Sequence, residues 1–128
     1  MSEYRGPVAD WTFVAEADLR NYRYHIVGHG SADGGVVLST GAAGQVGVLQ
    51  NAPNTGEQAE VRIFGGTKLY VDGTTDVAAG DGLIADGSGH AVKNTSDKYR
   101  IVGWAMHPVT YNGTRVVEAF INVQTQSV

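Results

Sequence analysis

An all-β fold is what this sequence predicts, and three features predict it. Short runs of Val, Ile, Leu and aromatic residues alternate with polar ones at a period of two. Turn formers punctuate those runs: the 128 residues include 18 glycines. No apolar pattern of helical period runs long enough to hold a helix by itself. Together these give a single domain, a small β-barrel or β-sandwich of about ten short antiparallel strands joined by glycine-rich turns.

The elements follow in order. Met1 to Asp10 is polar, contains Gly6 and Pro7, and reads as an extended N-terminal arm; residues 11–128 form the β domain. Trp11, Phe13 and Ala15 alternate with Thr12, Val14 and Glu16 to give a first strand, and Ala17 to Arg20 has room for one helical turn. Tyr22, Tyr24 and Ile26 alternate with Arg23, His25 and Val27, which predicts a second strand. Gly28 to Gly35 is a loop, and Val36 to Leu38 a short strand.

The stretch Gly44 to Gly65 organises the rest. Gln45 to Gln50 is short and mostly apolar, as a buried strand requires. Asn51, Pro53, Asn54 and Gly56 are turn formers. Ala59, Val61 and Ile63 then alternate with Glu60, Arg62 and Phe64, so one face is apolar and the other largely charged. This predicts a hairpin-like corner packed on a core. Gly65-Gly66 reads as a turn, followed by a half-buried strand from Lys68 to Asp72. Val77 to Ile84 is a turn-strand unit, Asp86 to Gly89 a turn into His90–Lys93, Tyr99 to Met106 a central strand with Trp104 in its apolar run, and Val116 to Val123 the last strand.

The grammar of Gly47 to Ile63 returns between Gly103 and Ile121: glycine, apolar strand, proline, glycine turn, apolar strand. Ala32-Asp33-Gly34 and Ala85-Asp86-Gly87 precede the two copies. This is either an internal duplication or the strand-turn-strand rhythm of any small all-β chain.

Composition narrows the function classes. The net charge is −4 and no segment clusters basic residues. Nonspecific nucleic-acid binding, which depends on neutralising phosphates, is disfavoured. No apolar run approaches membrane-spanning length, and Met1 to Pro7 holds no apolar signal region, so a chain made and kept in a cytoplasm, or released by lysis, is expected. With no cysteine there is neither disulfide nor thiolate metal site.

Tests for chemistry return little. His25 and His29 have a metal-like spacing but flank a strand end and a glycine loop, with no acidic residue between them. No Gly-x-Ser-x-Gly elbow surrounds Ser31, Ser39, Ser88 or Ser96. Gly80-Asp81-Gly82 with Asp86 to Gly89 fits tight turns better than a calcium loop. Glu57 and Glu60 do not form a facing carboxylate pair by pattern. Asn94-Thr95-Ser96 and Asn112-Gly113-Thr114 match a glycosylation sequon by chance composition. The expectation is a protein that is not an enzyme, with no metal and no cofactor.

The order of several segments resembles a family of small phage capsid cement, or head decoration, proteins. They are Phe13 to Leu19, Gly47 to Pro53 with Gly56 and Ala59-Glu60-Val61-Arg62, Val77 to Asp81 with Leu83, and Gly103-Trp104-Ala105. The resemblance covers Trp11 to Val123. It implies a structural virion protein, made in the host cytoplasm, on the capsid exterior. Such a protein binds the major capsid protein at subunit junctions as a homo-trimer, stabilises the expanded head, and has no nucleic-acid or membrane partner. Tyr4, Arg5 and Trp11 are candidate partner contacts, being aromatics and an arginine on a segment without a core; Asn51, Pro53 and Asn54 are candidates on the central loop. The alternative is a carbohydrate- or cell-surface-binding module stacking sugars on Trp104, Tyr99 or Tyr111. Against it stands the expectation that Trp104 is core.

Overall fold

The computed structural model describes residues 6–41, 44–73, 76–95, 101–109 and 116–123. Among these described residues nine strands carry the fold: β1 (Ala9–Ala15), β2 (Ile26–His29), β3 (Gly35–Leu38), β4 (Gln45–Leu49), β5 (Gln58–Tyr70), β6 (Gly82–Ala85), β7 (Ala91–Lys93), β8 (Gly103–Ala105) and β9 (Val116–Asn122). They are hydrogen-bonded in the order β1-β3-β2-β4-β5-β9-β8-β6-β7, and β1 also pairs with β5. That extra pairing closes β1, β3, β2, β4 and the first half of β5 into a five-stranded barrel. No helix occurs among the described residues, so the all-β class holds.

The predicted hairpin corner is present. β4 runs antiparallel to β5 with Val48 opposite Arg62 and Leu49 opposite Val61. β4 is buried throughout, and Ala59 and Val61 point inward from β5. Three expectations need correction. Gly65-Gly66 is not a turn: β5 passes through it unbroken for 13 residues. Gly65 has φ 110°, and a Cβ there would lie 2.7 Å from Val8 Cγ1 and 2.8 Å from the Pro7 carbonyl oxygen. Glycine thus lets the strand bend beneath the crossing N-terminal segment. The alternation from Tyr22 does not make a strand either. β2 begins only at Ile26, because Tyr24 takes a left-handed φ of 67° to aim its N–H at the Leu49 carbonyl, 2.7 Å away. Residues 17–20 form no helical turn. In addition, β1 starts at Ala9, inside the segment read as an arm.

The internal duplication is written into the hydrogen bonds. The strand order β3-β2-β4-β5 repeats as β7-β6-β8-β9. β1 runs parallel to β3 and antiparallel to β5; the second half of β5 runs antiparallel to β9 and, through the Val71–Ala91 bridge, parallel to β7. So the second half of β5 is to the second unit what β1 is to the first. Corresponding residues lie about 56 positions apart. Gly80, with φ 88°, donates to the Ala105 carbonyl at 2.8 Å just as Tyr24 donates to Leu49. Leu49 N–H reaches the His25 carbonyl and Ala105 N–H the Asp81 carbonyl, both at 3.0 Å. Leu19 N–H meets the Pro53 carbonyl at 2.9 Å, and Val77 N–H the Val109 carbonyl at 2.8 Å. Glu60 N–H donates to Asn51 Oδ1 at 3.0 Å, while Glu118 N–H donates to His107 Nε2 at 3.1 Å.

Each unit fills its own interior. Ala15, Leu19, Val27, Val36, Val46, Leu49, Ala59 and Val61 form the first core. The second gathers Leu69, Val71, Leu83, Val102, Val117 and Ile121 with their neighbours, and also takes Ile26 and Val48 from the outside of the first barrel. Each fully buried Val, Leu or Ile side chain contributes about 1.5–3 kcal/mol by leaving water, so the two units are welded where Ile26 and Val48 change sides.

Gly47 and Gly103 occupy matching places on β4 and β8. A Cβ at Gly47 would strike the Arg62 carbonyl oxygen, and one at Gly103 the Phe120 carbonyl oxygen. Gly47→Ala and Gly103→Ala are therefore each expected to destabilise the fold by about 1–3 kcal/mol, read as a lowered midpoint in urea unfolding. Alanine at Gly41, where nothing lies within 4 Å, serves as the neutral control.

Candidate functional site

β1 is held rigidly and still leaves apolar surface in water. Asp10 takes a two-pronged contact from Arg62 (Nε to Oδ1 2.8 Å, Nη2 to Oδ2 3.1 Å), and Arg62 Nη1 also donates to the Gly66 carbonyl at 2.7 Å. Thr12 donates its hydroxyl to Glu60 at 2.9 Å. On this frame Trp11 is 60% exposed, Val8 50% and Val14 48%. Trp11 packs beside Phe13, ring centres 6.4 Å apart. A fixed, exposed tryptophan presents contact area with little ordering cost on binding. Tyr4 and Arg5 lie outside the described residues.

The central loop is built differently from a free contact loop. Asn51 donates to the Gln58 carbonyl at 3.0 Å in addition to accepting from Glu60 N–H. Pro53 is buried, with its carbonyl engaged by Leu19 N–H. Asn54 accepts from Thr55 N–H at 2.8 Å, while its own N–H donates to Glu57 Oε1 at 2.6 Å. The structure thus places Asn51, Pro53 and Asn54 together but turns their polar groups to the loop's own backbone. What the loop offers outward is Ala52, Thr55 and Glu57.

An aromatic surface lies across β5, β9 and β8, and of its residues the sequence singled out only Trp104. Phe64 and Phe120 meet edge to face with ring centres 5.2 Å apart, and Trp104 stacks with Phe120 at 6.1 Å and 27°. Phe64 is 38% exposed; Phe120 and Trp104 are half-buried. This corrects the expectation that Trp104 is core. In the ladder Trp104 stands opposite Phe120, whereas Gly103 and Ala105 face Ile121 and Ala119. The inward positions of β8 are therefore the glycine and the alanine. The available signal was strand parity: Phe64 shares a face with Arg62, and Phe120 with Glu118.

Among the described residues four ionisable groups depart from ordinary behaviour: Asp18 and Arg20 through their side-chain hydrogen bonds to each other, and Glu16 and His25 through their surroundings. Glu16 accepts from Ala32 N–H (2.8 Å), Ser31 N–H (2.9 Å) and Ser31 Oγ (2.8 Å). These bonds, the one from Ala32 foremost, hold its carboxyl below the usual range. His25 is buried where the units meet. Tyr70 stacks on it at 4.8 Å, Tyr22 meets it edge-on at 5.3 Å, and the His90 ring is 5.0 Å away, beside Asp86. Burial pushes the His25 pKa down, and the neighbouring His90 adds to this. Among the described residues no three His, Asp or Glu side chains converge on a point that could hold a metal ion. A small cleft lined by Gly28, His29, Leu38, Ser39 and Gly44 has a volume of about 60 Å³, room for no more than a few waters.

The fold has a counterpart among solved structures. The head fiber gp8.5 N base of bacteriophage phi29 matches with a TM-score of 0.65 at 14% sequence identity, covering 94% of this chain and 100% of that one. At that identity the likeness is one of fold. No known family matches the sequence, and no curated protein matches it.

Two outcomes follow from the ionisable groups. A histidine whose folded pKa is depressed supports the fold fully above its unfolded value of about 6.5, and that support is lost as pH falls. Unfolding midpoints are expected to drop below roughly that pH, and His25→Phe is expected to shrink the acid-linked part of the drop. Glu16→Gln is expected to speed amide hydrogen exchange at Ser31 and Ala32, leaving exchange in β9 unchanged.

Proposed function

We propose that this chain is a structural protein of a phage virion. It docks on the outer surface of an icosahedral head, at junctions between major capsid proteins, and stabilises the expanded shell. The observation that carries this reading is the match of fold over nearly the whole length of both chains to the base of a phage head fiber. The order of motifs from Phe13 to Ala105, similar to that of head decoration proteins, supports it independently.

The physical logic is direct. A protein that binds only the expanded lattice stabilises that lattice by mass action. A rigid two-unit β domain suits a bridging role, because little order has to be created on docking. Trp11, with Tyr4 and Arg5 on the segment leading into it, is the proposed capsid contact. The net charge of −4 is compatible with docking, since local complementarity sets specificity. The reading assigns no catalytic step to the chain.

A second reading has one observation in its favour. The half-exposed Trp104 and Phe120 form a stacked pair on an open sheet face, a platform on which a sugar ring could lie. The other two aromatics of that reading, Tyr99 and Tyr111, are outside the described residues. Binding to a glycan array that is lost in Trp104→Ala would favour it.

Co-sedimentation with expanded, undecorated heads, against unexpanded heads as control, tests the main reading. Saturable binding to expanded heads alone is expected; no binding by the folded protein to either refutes it. Trp11→Ala is expected to weaken head binding by about tenfold or more, as loss of a tryptophan anchor does, at unchanged thermal stability.

A further inference from the structure

The junction between the two units shows how a second-unit surface covers a first-unit surface. Tyr70 stacks on His25, and its N–H donates to the Tyr24 carbonyl at 3.0 Å. Ile26 N–H donates to the Gly89 carbonyl at 2.7 Å, and Ala85 N–H to Gln45 Oε1 at 3.2 Å. Ile26 and Val48 are fully buried there. The covering groups belong to the end of β5 and the β6–β7 turn; the covered ones belong to β2, β4 and the turn before β2.

The repeat assigns an equivalent to each of these residues. On the covered side, Tyr24, His25, Ile26 and Val48 correspond to Gly80, Asp81, Gly82 and Trp104. On the covering side, Tyr70 and Gly89 correspond to Val14 and Gly34, the two turn glycines having φ 76° and 75°. Among the described residues neither equivalent surface has a comparable cover; only the Ile101 side chain lies over the face of Gly82. Val14 is 48% exposed and Gly34 and Gly80 are exposed, while Trp104 and Gly82 are half-buried beside Phe120 and the 38% exposed Phe64. Among the described residues the chain therefore carries two largely open surfaces, equivalent to the two sides of its own internal junction. In stacked-repeat proteins a terminal unit that keeps such a face needs a cap or a partner.

We propose that copies of this chain associate head to tail. The face of one copy around Gly82, Trp104 and Phe120 is covered by β1, through Val14, and by the β2–β3 turn, through Gly34, of the next. The contact is heterologous, one surface against a different one, so it propagates in one direction and is satisfied throughout only when a ring closes. Trp11 lies on the face of β1 opposite Val14, so the surface proposed for the capsid stays free. The inference stands apart from the head-binding reading and fails separately from it.

Sedimentation of the purified chain gives the first test: concentration-dependent association is expected, and a monomer at every concentration up to about 0.5 mM overturns the proposal. Complementation gives the second. Trp104→Lys disables one surface and Val14→Lys the other, and both reduce the negative net charge, so added self-repulsion cannot explain lost association. Each variant alone is expected to associate at least about tenfold more weakly. A one-to-one mixture is expected to form a dimer and nothing larger, since each chain retains one working surface. If only one substitution matters, or the mixture stays monomeric, head-to-tail association is refuted. Should either lysine variant fail to fold by circular dichroism, Trp104→Ser and Val14→Ser repeat the experiment. Head co-sedimentation of Val14→Lys separates the two ideas, because loss of self-association with head binding retained leaves the virion role standing.

Discussion

Everything in this molecule depends on one strand serving two enclosures. β5 gives its first half to the first barrel and its second half to the second unit, and it can do so only by bending without breaking its ladder. Gly65 supplies the bend. Any side chain there would meet Pro7 and Val8, so the same glycine also sets where the N-terminal segment crosses and hence where β1 begins. The ion pair of Arg62 with Asp10 and the Arg62 bond to the Gly66 carbonyl brace this corner from outside. Two cores, two strand ladders and the exposed Trp11 all trace back to that place.

The duplicated architecture explains residues that look arbitrary one at a time. Tyr24 adopts a backbone conformation that costs a non-glycine residue about 1–2 kcal/mol. It does so because its N–H must reach Leu49, as that of Gly80 reaches Ala105. The first unit offsets the strain with contacts the second lacks, among them the Arg23 guanidinium over the Tyr24 ring at 4.7 Å. Asn51 and His107 share one task, accepting the backbone N–H of a glutamate (Glu60 and Glu118), with different chemistry. The central loop is a fastening of the first unit, and His107 and Val109 fasten the second.

Much of this was legible in the sequence, and the rest was hidden for physical reasons. The β class, the buried β4, the inward parity of Ala59 and Val61 and the two-copy grammar from Gly47 and Gly103 all followed from period and turn chemistry. The continuity of β5 did not, because a Gly-Gly pair signals a turn and a bend equally well; only the crossing segment decides between them. The false strand from Tyr22 arose because alternation is silent about a single left-handed residue. Trp104 was misplaced because hydrophobicity says that a residue is buried somewhere, whereas parity says on which side. Gly103 and Ala105 already held the inward positions. As for the candidate residues, Trp11 stood out by type and is exposed, while Asn51, Pro53 and Asn54 stood out as turn formers and are occupied with that work.

The sharing of β5 also has a consequence for synthesis. As the chain leaves the ribosome, β1 to β4 come out first, yet β1 closes its barrel only against Gln58 to Phe64. The first enclosure must wait for a strand that lies well downstream, and the second waits in turn for β9, near the end of the chain. Neither half can be finished and set aside while the other is made. Early exposure of open strand edges is therefore built into the order of translation until β9 pairs with β5.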